Sequence, residues 1–299
     1  MTTTATAPRL SVVIPTTHPW PVVELPIASL WQQLQAIGGE LVIAHRGQGL
    51  PADHPYPGLV QVHEPGASVF RLRALGTGAA RGEVIALTED HVQVAPDFCA
   101  QVLAAHDAHP DALVLGGVVA NGSLDPIGWA SYFMGNINAL PPETGPWRAP
   151  LTGAANRSCK RALVDAHGPW APQDITVIDA LRRDGRAFND PRFRVLHIQS
   201  LGFGGSCAHH FHDGRQVAAN RRKHVRGWHR LGELAKDTFP LRPSIIAARV
   251  LSRVARQHPS LRPDLARSAP MIAVLAACHC VGEIAGFVAG VGSSAEHIP

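Results

Sequence analysis

GEVIALTEDH, residues 82–91, sets an apolar run directly before three side chains able to carry chemistry. Residues 83–88 read as a strand from their aliphatic and β-branched content. Glu89, Asp90 and His91 then fall at its carboxyl end. Working upstream, LSVVI (10–14) is a short strand ending at Pro15, ELVIA (40–44) a second that stops at Gly47, and LVQVH (59–63) a third before Pro65-Gly66. Residues 22–37 and 68–81 between them read as helices, as do residues 97–108 downstream, and ALVLGGVV (112–119) reads as a strand. Strands alternating with helices at this spacing predict an α/β fold, a mostly parallel sheet with helices on both faces. Such sheets bind ligands at the carboxyl ends of their strands, so the loops after Ile14, Ala44 and Thr88 are where a site is expected.

Further out the pattern loosens. Residues 121–150 are rich in Gly, Pro and aromatics (Trp129, Tyr132, Phe133, Trp147) and read as a surface connection suited to a binding loop. Residues 158–167 and 174–185 read as helices, 193–198 as a strand and GFGGS (202–206) as a flexible hinge. Beyond 213, residues 215–235 read as a basic helix. In SIIAARVLSRVARQ (244–257) the arginines Arg249, Arg253 and Arg256 lie opposite the aliphatic side chains, the pattern of an interfacial helix. Residues 271–291 are apolar apart from His279 and Glu283 and are near the length of a membrane span. A buried Glu opposes a full span, costing about 2–3 kcal/mol. An interfacial or re-entrant hairpin is the expectation, with a core helix as the plainer alternative.

Of the 299 residues, 45% are hydrophobic and 17% charged, which excludes a disordered tail, a collagen-like repeat and a disulfide-stapled miniprotein. Five cysteines (Cys99, Cys159, Cys207, Cys278, Cys280) without zinc-ribbon spacing read as reduced thiols of a cytosolic protein. MTTTATAPRL has no apolar segment, so no secretory signal is expected. Charge is unevenly spread. Lys plus Arg minus Asp plus Glu gives 14 − 18 = −4 over residues 1–213, 13 − 3 = +10 over 214–267 and 0 − 2 = −2 over 268–299. Basic segments bind phosphate groups of nucleic acid, anionic lipid or a phosphorylated substrate. The basic segment alternates with Ile, Val and Leu and holds few aromatic stacking residues, Trp228 and Phe239, which disfavours nucleic acid.

Three constellations carry chemistry. Adjacent acids in Thr88-Glu89-Asp90-His91 suit a divalent cation held by hard oxygen ligands, Mg²⁺ or Mn²⁺, with His91 favouring Mn²⁺; the plainer alternative is a helix cap. Asp174 starts a helix, where an acid is favourable as a cap; it also suits a general base. His197, followed by Cys207, His209, His210, His212 and Arg215, offers ligands for metal or phosphate, or a solvated loop.

The order LSVVIPTT (10–17), PGASVFRLRALGTGAARGEVIALTEDH (65–91), LTGAANRSCKRALVDAHG (151–168) and Gln173-Asp174 with Gly185 resembles family 2 glycosyltransferases of the GT-A fold, in particular a subgroup whose acidic motif is T-E-D-H. HDGRQVAANR (212–221) and the G-E-x-x-G of 282–286 are also similar to these relatives. The resemblance implies a GT-A sheet over residues 1–213 with a basic and apolar helical extension over 214–299. It implies metal-assisted, inverting transfer of a sugar from a nucleotide-diphosphate donor to a hydroxyl acceptor. Pro15, Thr16, Arg73, Glu89, Asp90 and Arg215 then face the donor. Asp90, His91, His197 and His212 are the implied metal ligands and Asp174 the base; Gly153, Asn156 and Trp129 lie on the acceptor side. The loop Ala44-His45-Arg46-Gly47 departs from the family, which places an Asp there to read the nucleobase. The extension is expected to hold the chain at the inner face of the plasma membrane, peripheral or monotopic, beside a lipid-linked acceptor. A catalytically degenerate relative acting as a binding partner is the rival expectation.

Overall fold

A computed structural model describes residues 7–20, 22–140, 151, 155–199, 201–223, 241–294 and 297. The chain forms two compact units, one of residues 1–120 and 138–198, the other of residues 121–137 and 199–299.

The first unit is built on an eight-stranded mixed sheet in the order β3-β2-β1-β4-β7-β6-β8-β5, flanked by helices. Its strands are β1 (Leu10–Thr16), β2 (Glu40–His45), β3 (Val60–His63), β4 (Val84–Leu87), β5 (Val92–Val94), β6 (Val114–Asn121), β7 (Arg157–Lys160) and β8 (Ala187–His197). Pairing is parallel through β3-β2-β1-β4; β7 runs antiparallel to β4 and β6, and β5 antiparallel to β8. Every residue of β1, β2 and β4 is buried, as expected for central parallel strands covered on both faces. Its helices are α1 (Glu24–Ile37), α2 (Val69–Ala79), α3 (Phe98–Ala108), α5 (Arg161–His167) and α6 (Ile175–Arg183), with α4 in the other unit. α1 stops at Gly38, whose φ of 60° lets its N–H close back on Leu34 and Gln35. α2 starts at the Ser68 cap and presses onto the sheet at Gly76, where a Cβ would lie 2.5 Å from Val13 Cγ1.

The second unit holds α4 (Pro126–Asn136), α7 (Phe203–Lys223), α8 (Leu241–Gln257) and α9 (Arg262–Ala289). α9 packs along α7 and also against α4 and α8.

The α/β reading holds, and several local expectations do not. Residues 157–160 form β7 rather than the start of a helix, because Arg157–Lys160 complete the ladder between β4 and β6. The 121–150 connection contains a helix, α4, capped by Asp125 and started by Pro126. The GFGGS hinge is instead the first turn of α7. The expected helix over 215–235 coincides with α7 up to Lys223, and its remainder lies outside the described residues. Residues 271–289 are one continuous helix rather than a hairpin. Its glycines, Gly282 and Gly286, are where α7 packs closest.

Candidate active site

The sheet geometry assembles the carboxyl rim. Thr88 is pinned by its N–H to the Val13 carbonyl at 3.1 Å, so residues 89–91 emerge directly beside the end of β1. They turn into β5, which lies on β8 with Val92 opposite His197; the Ile198 N–H donates to the His91 carbonyl at 3.1 Å. This ladder brings His91 and His197 together although 106 positions separate them, with Nε2 to Nε2 at 3.0 Å. Glu89 Oε2 lies 3.5 Å from His91 Nε2 and 3.6 Å from His197 Nε2. Among the described residues, these three form the group with ligand atoms close enough for one cation, all within 4.8 Å. One carboxylate and two imidazoles, half-buried, suit a borderline divalent ion such as Mn²⁺ better than Mg²⁺.

Asp90 stands behind this group. Its Oδ1 accepts from His91 Nδ1 at 2.9 Å, leaving Nε2 aimed at Glu89 and His197. Its Oδ2 accepts from Thr16 Oγ1 at 2.6 Å and from His18 Nδ1 at 2.8 Å. Burial works against ionisation of Asp90, but the hydrogen bonds from His18, His91 and Thr16 outweigh it and hold the carboxyl far below the usual range. Burial likewise pulls the His91 imidazole down, and its bond to Asp90 and the nearby Glu89 reverse that to a net rise. Asp90 therefore fixes the orientation of the His91 ring, an arrangement that would suit a metal-binding imidazole.

Arg73 lies on α2 one turn before Gly76. It is buried, with Nη2 3.4 Å from Glu89 Oε1 and Nη1 3.5 Å from Gln173 Oε1. Burial lowers its pKa while Glu89 raises it. Gln173 also donates to the Phe70 carbonyl at 2.8 Å. Arg157, buried on β7, donates to the Pro172 and Leu151 carbonyls at 2.5 and 2.7 Å. Burial first, then Arg73, pushes the Arg157 guanidinium down to about 10. The turn before Asp174 is thus tied to α2 through Gln173 and to the sheet through Arg157. Asp174 itself is exposed and caps α6, accepting from the Thr176 and Val177 amides at 2.8 and 3.4 Å.

Pro15 and Thr16 end β1 beside Asp90. Asn156 is buried and donates to the Val118 and Phe193 carbonyls, bracing the sheet. Gly153 lies outside the described residues. Trp129, His212 and Arg215 belong to the second unit. Trp129 meets Tyr132 edge to face and Phe133 at a tilt, His212 meets Ser294 and His297, and Arg215 donates to the Gly290 carbonyl at 2.9 Å. Sequence reasoning missed His18 and Arg157. The TTHP turn after the first strand was the available signal for His18; nothing local marked Arg157, whose partners are backbone carbonyls.

No family model matches the chain, and no curated protein matches it in sequence. Solved structures do. The mannosyltransferase PcManGT from Pyrobaculum calidifontis, in complex with GDP-Man and Mn²⁺, aligns over 94% of this chain and 88% of its own, with TM-score 0.59 at 15% identity. This chain shares that enzyme's fold. TarS 1–349 of S. aureus aligns over 90% of both chains at 12% identity with TM-score 0.46. A mycobacterial protein covers 65% of this chain and 68% of its own, at 12% identity and TM-score 0.44. The α/β architecture is accordingly of the GT-A type that the motif order implied.

Proposed function

We propose that the protein transfers a sugar from a nucleotide-diphosphate donor to a hydroxyl acceptor, with inversion at the anomeric carbon and with Mn²⁺ or Mg²⁺ as cofactor. The observation that carries the reading is the convergence of Glu89, His91 and His197 beside Arg73, with Asp174 next in sequence to the Gln173 that Arg73 contacts. The Mn²⁺ and GDP-Man held by a mannosyltransferase of the same fold support it. A divalent cation held by Glu89, His91 and His197 would offset the charge of the diphosphate leaving group. Arg73 adds a fixed positive charge on the same rim. Thr16 and Pro15 border the donor at the end of β1. Asp174 accepts the proton of the acceptor hydroxyl, a task that suits an exposed carboxylate. Contacts of Arg215 and His212 with the diphosphate or metal, and of Trp129, Gly153 and Asn156 with the acceptor, rest on the motif resemblance.

We assign residues 214–299 to holding the enzyme at an anionic membrane on the cytoplasmic side, near a lipid-linked acceptor. The arginine face of α8, the exposed Leu241, Ile245, Val281 and Val288, and the length and hydropathy of the helical stretch Pro259–Ala289 support this. The loop Ala44-His45-Arg46-Gly47, where the resembled family places an acidic base reader, favours the second reading, a degenerate relative that binds without turnover. A panel of nucleotide sugars with Mn²⁺ separates the two. We expect turnover with one donor, and a loss of about 10²–10⁴-fold in Asp174→Asn. Asn caps a helix as well as Asp, so thermal stability should hold. Undiminished turnover in that variant overturns the base assignment, and a silent panel without a nucleotide-induced thermal shift overturns the enzyme.

A further inference from the structure

α7 and α9 meet with their backbones in contact. A Cβ at Gly282 would lie 1.9 Å from the Phe211 carbonyl oxygen, one at Gly286 2.0 Å from the Arg215 carbonyl oxygen, and one at Gly214 2.1 Å from that of His279. Only hydrogen fits at these positions, which is the geometry of a G-x-x-x-G seam. The seam advances in step along both helices. Phe211 faces Gly282, and one turn on Arg215 faces Gly286. One turn back on each helix stand Cys207 and Cys278.

The register therefore places these two cysteines opposite one another, one turn from the close approach at Phe211 and Gly282. The Cys278 thiol hydrogen-bonds the Cys207 thiol. Both are partly exposed and carry no disulfide, whereas Cys99, Cys159 and Cys280 are buried. A disulfide requires Cα atoms about 4.4–6.8 Å apart, and a glycine seam brings helix backbones that near.

We propose that Cys207 and Cys278 are a redox modification site, forming a reversible disulfide that staples α7 to α9 when a small-molecule disulfide oxidant is present. The Cys207 thiolate attacks one sulfur of the oxidant R–S–S–R, breaking that bond and releasing the first thiol, R–SH. The Cys278 thiol then loses its proton and attacks Cys207 Sγ, breaking the mixed disulfide and releasing a second R–SH. The two protein thiols are oxidised to one disulfide, and the oxidant is reduced to two thiols. Burial and the neighbouring Cys207 push the Cys278 thiol up to about 11, which makes its attack the slower step.

The experiment uses the purified full chain, incubated with oxidised glutathione, quenched with acid, alkylated and mapped by mass spectrometry. The expected result is a cross-link between the peptides holding Cys207 and Cys278. Fragment ions should separate Cys278 from Cys280, and dithiothreitol should reverse the link. Thermal unfolding without reductant should rise by about 5 °C or more, as expected for closing a long loop. Cys207→Ser should lose the link and the rise, while Cys280→Ser keeps both. Glutathione retained on Cys207, a link through another pair, or no oxidation at all overturns the proposal. These outcomes are read on the unsubstituted chain, so they stand even if a variant fails to fold, and none depends on sugar transfer.

Discussion

Asp90 spends both carboxylate oxygens on its neighbours, two of them imidazoles. Removing its charge while keeping its shape should leave the fold intact and disorient His91. We expect Asp90→Asn to weaken Mn²⁺ binding about 10–100-fold by titration calorimetry, with little change in circular dichroism; unchanged affinity would place Asp90 outside the metal's support. Glu40 opens β2, away from the carboxyl rim. It is buried and accepts from Ser11 Oγ at 2.6 Å, from the Arg81 amide at 2.7 Å and from Arg81 Nε at 2.6 Å. Burial opposes its charge, and these bonds outweigh burial to lower its pKa from the ordinary carboxylate range. A lowered pKa means stability that is complete above the unfolded value and drains as pH falls through the folded one. Glu40→Gln should cost about 1–2 kcal/mol at neutral pH. It should also flatten the loss of melting temperature as pH falls through the carboxylate range, and parallel pH curves for the two proteins would remove Glu40 from that account.

Among the elements, the α7–α9 seam is the least tolerant of added atoms. Gly286→Val must push α9 off the Arg215 backbone, so we expect at least about 2–3 kcal/mol of destabilisation. It should be seen as faster amide exchange in α7 and α9 than in the unsubstituted chain. The elements also show where sequence reading succeeds. β1, β2 and β4 were legible because each is a short aliphatic run with a sharp stop, and burial on both faces demands that composition. β7 was not, since Arg157-Ser158-Cys159-Lys160 carries no strand pattern and is a strand only because two ladders need it. α4 hid behind its glycines and aromatics although Asp125-Pro126 was a readable start. In the site, Glu89 and His91 were legible from their place after a strand. The nearness of His197 depends on the β5–β8 pairing, which no local signal encodes.

At the scale of the molecule, charge is the property most open to test. The segment 214–267 carries 13 − 3 = +10, and each such charge near an anionic bilayer contributes about 1 kcal/mol. Sedimentation with phosphatidylserine vesicles should capture the protein at low salt and release most of it by about 0.3 M, where screening is short-ranged. Pure phosphatidylcholine vesicles should capture little. Salt-insensitive capture on both would assign binding to the apolar face of α9 instead.

The path of the chain carries one more consequence. Residues 121–137 leave the sheet unit and return to it, and the Val119 N–H donates to the Ala139 carbonyl at 2.9 Å where the excursion closes. Cutting the polypeptide after Ile198 would strand α4 without α7 and α9, against which it packs, and such a fragment should precipitate. A soluble stand-alone sheet needs a second edit, excising the excursion and splicing Ala120 to Asn138.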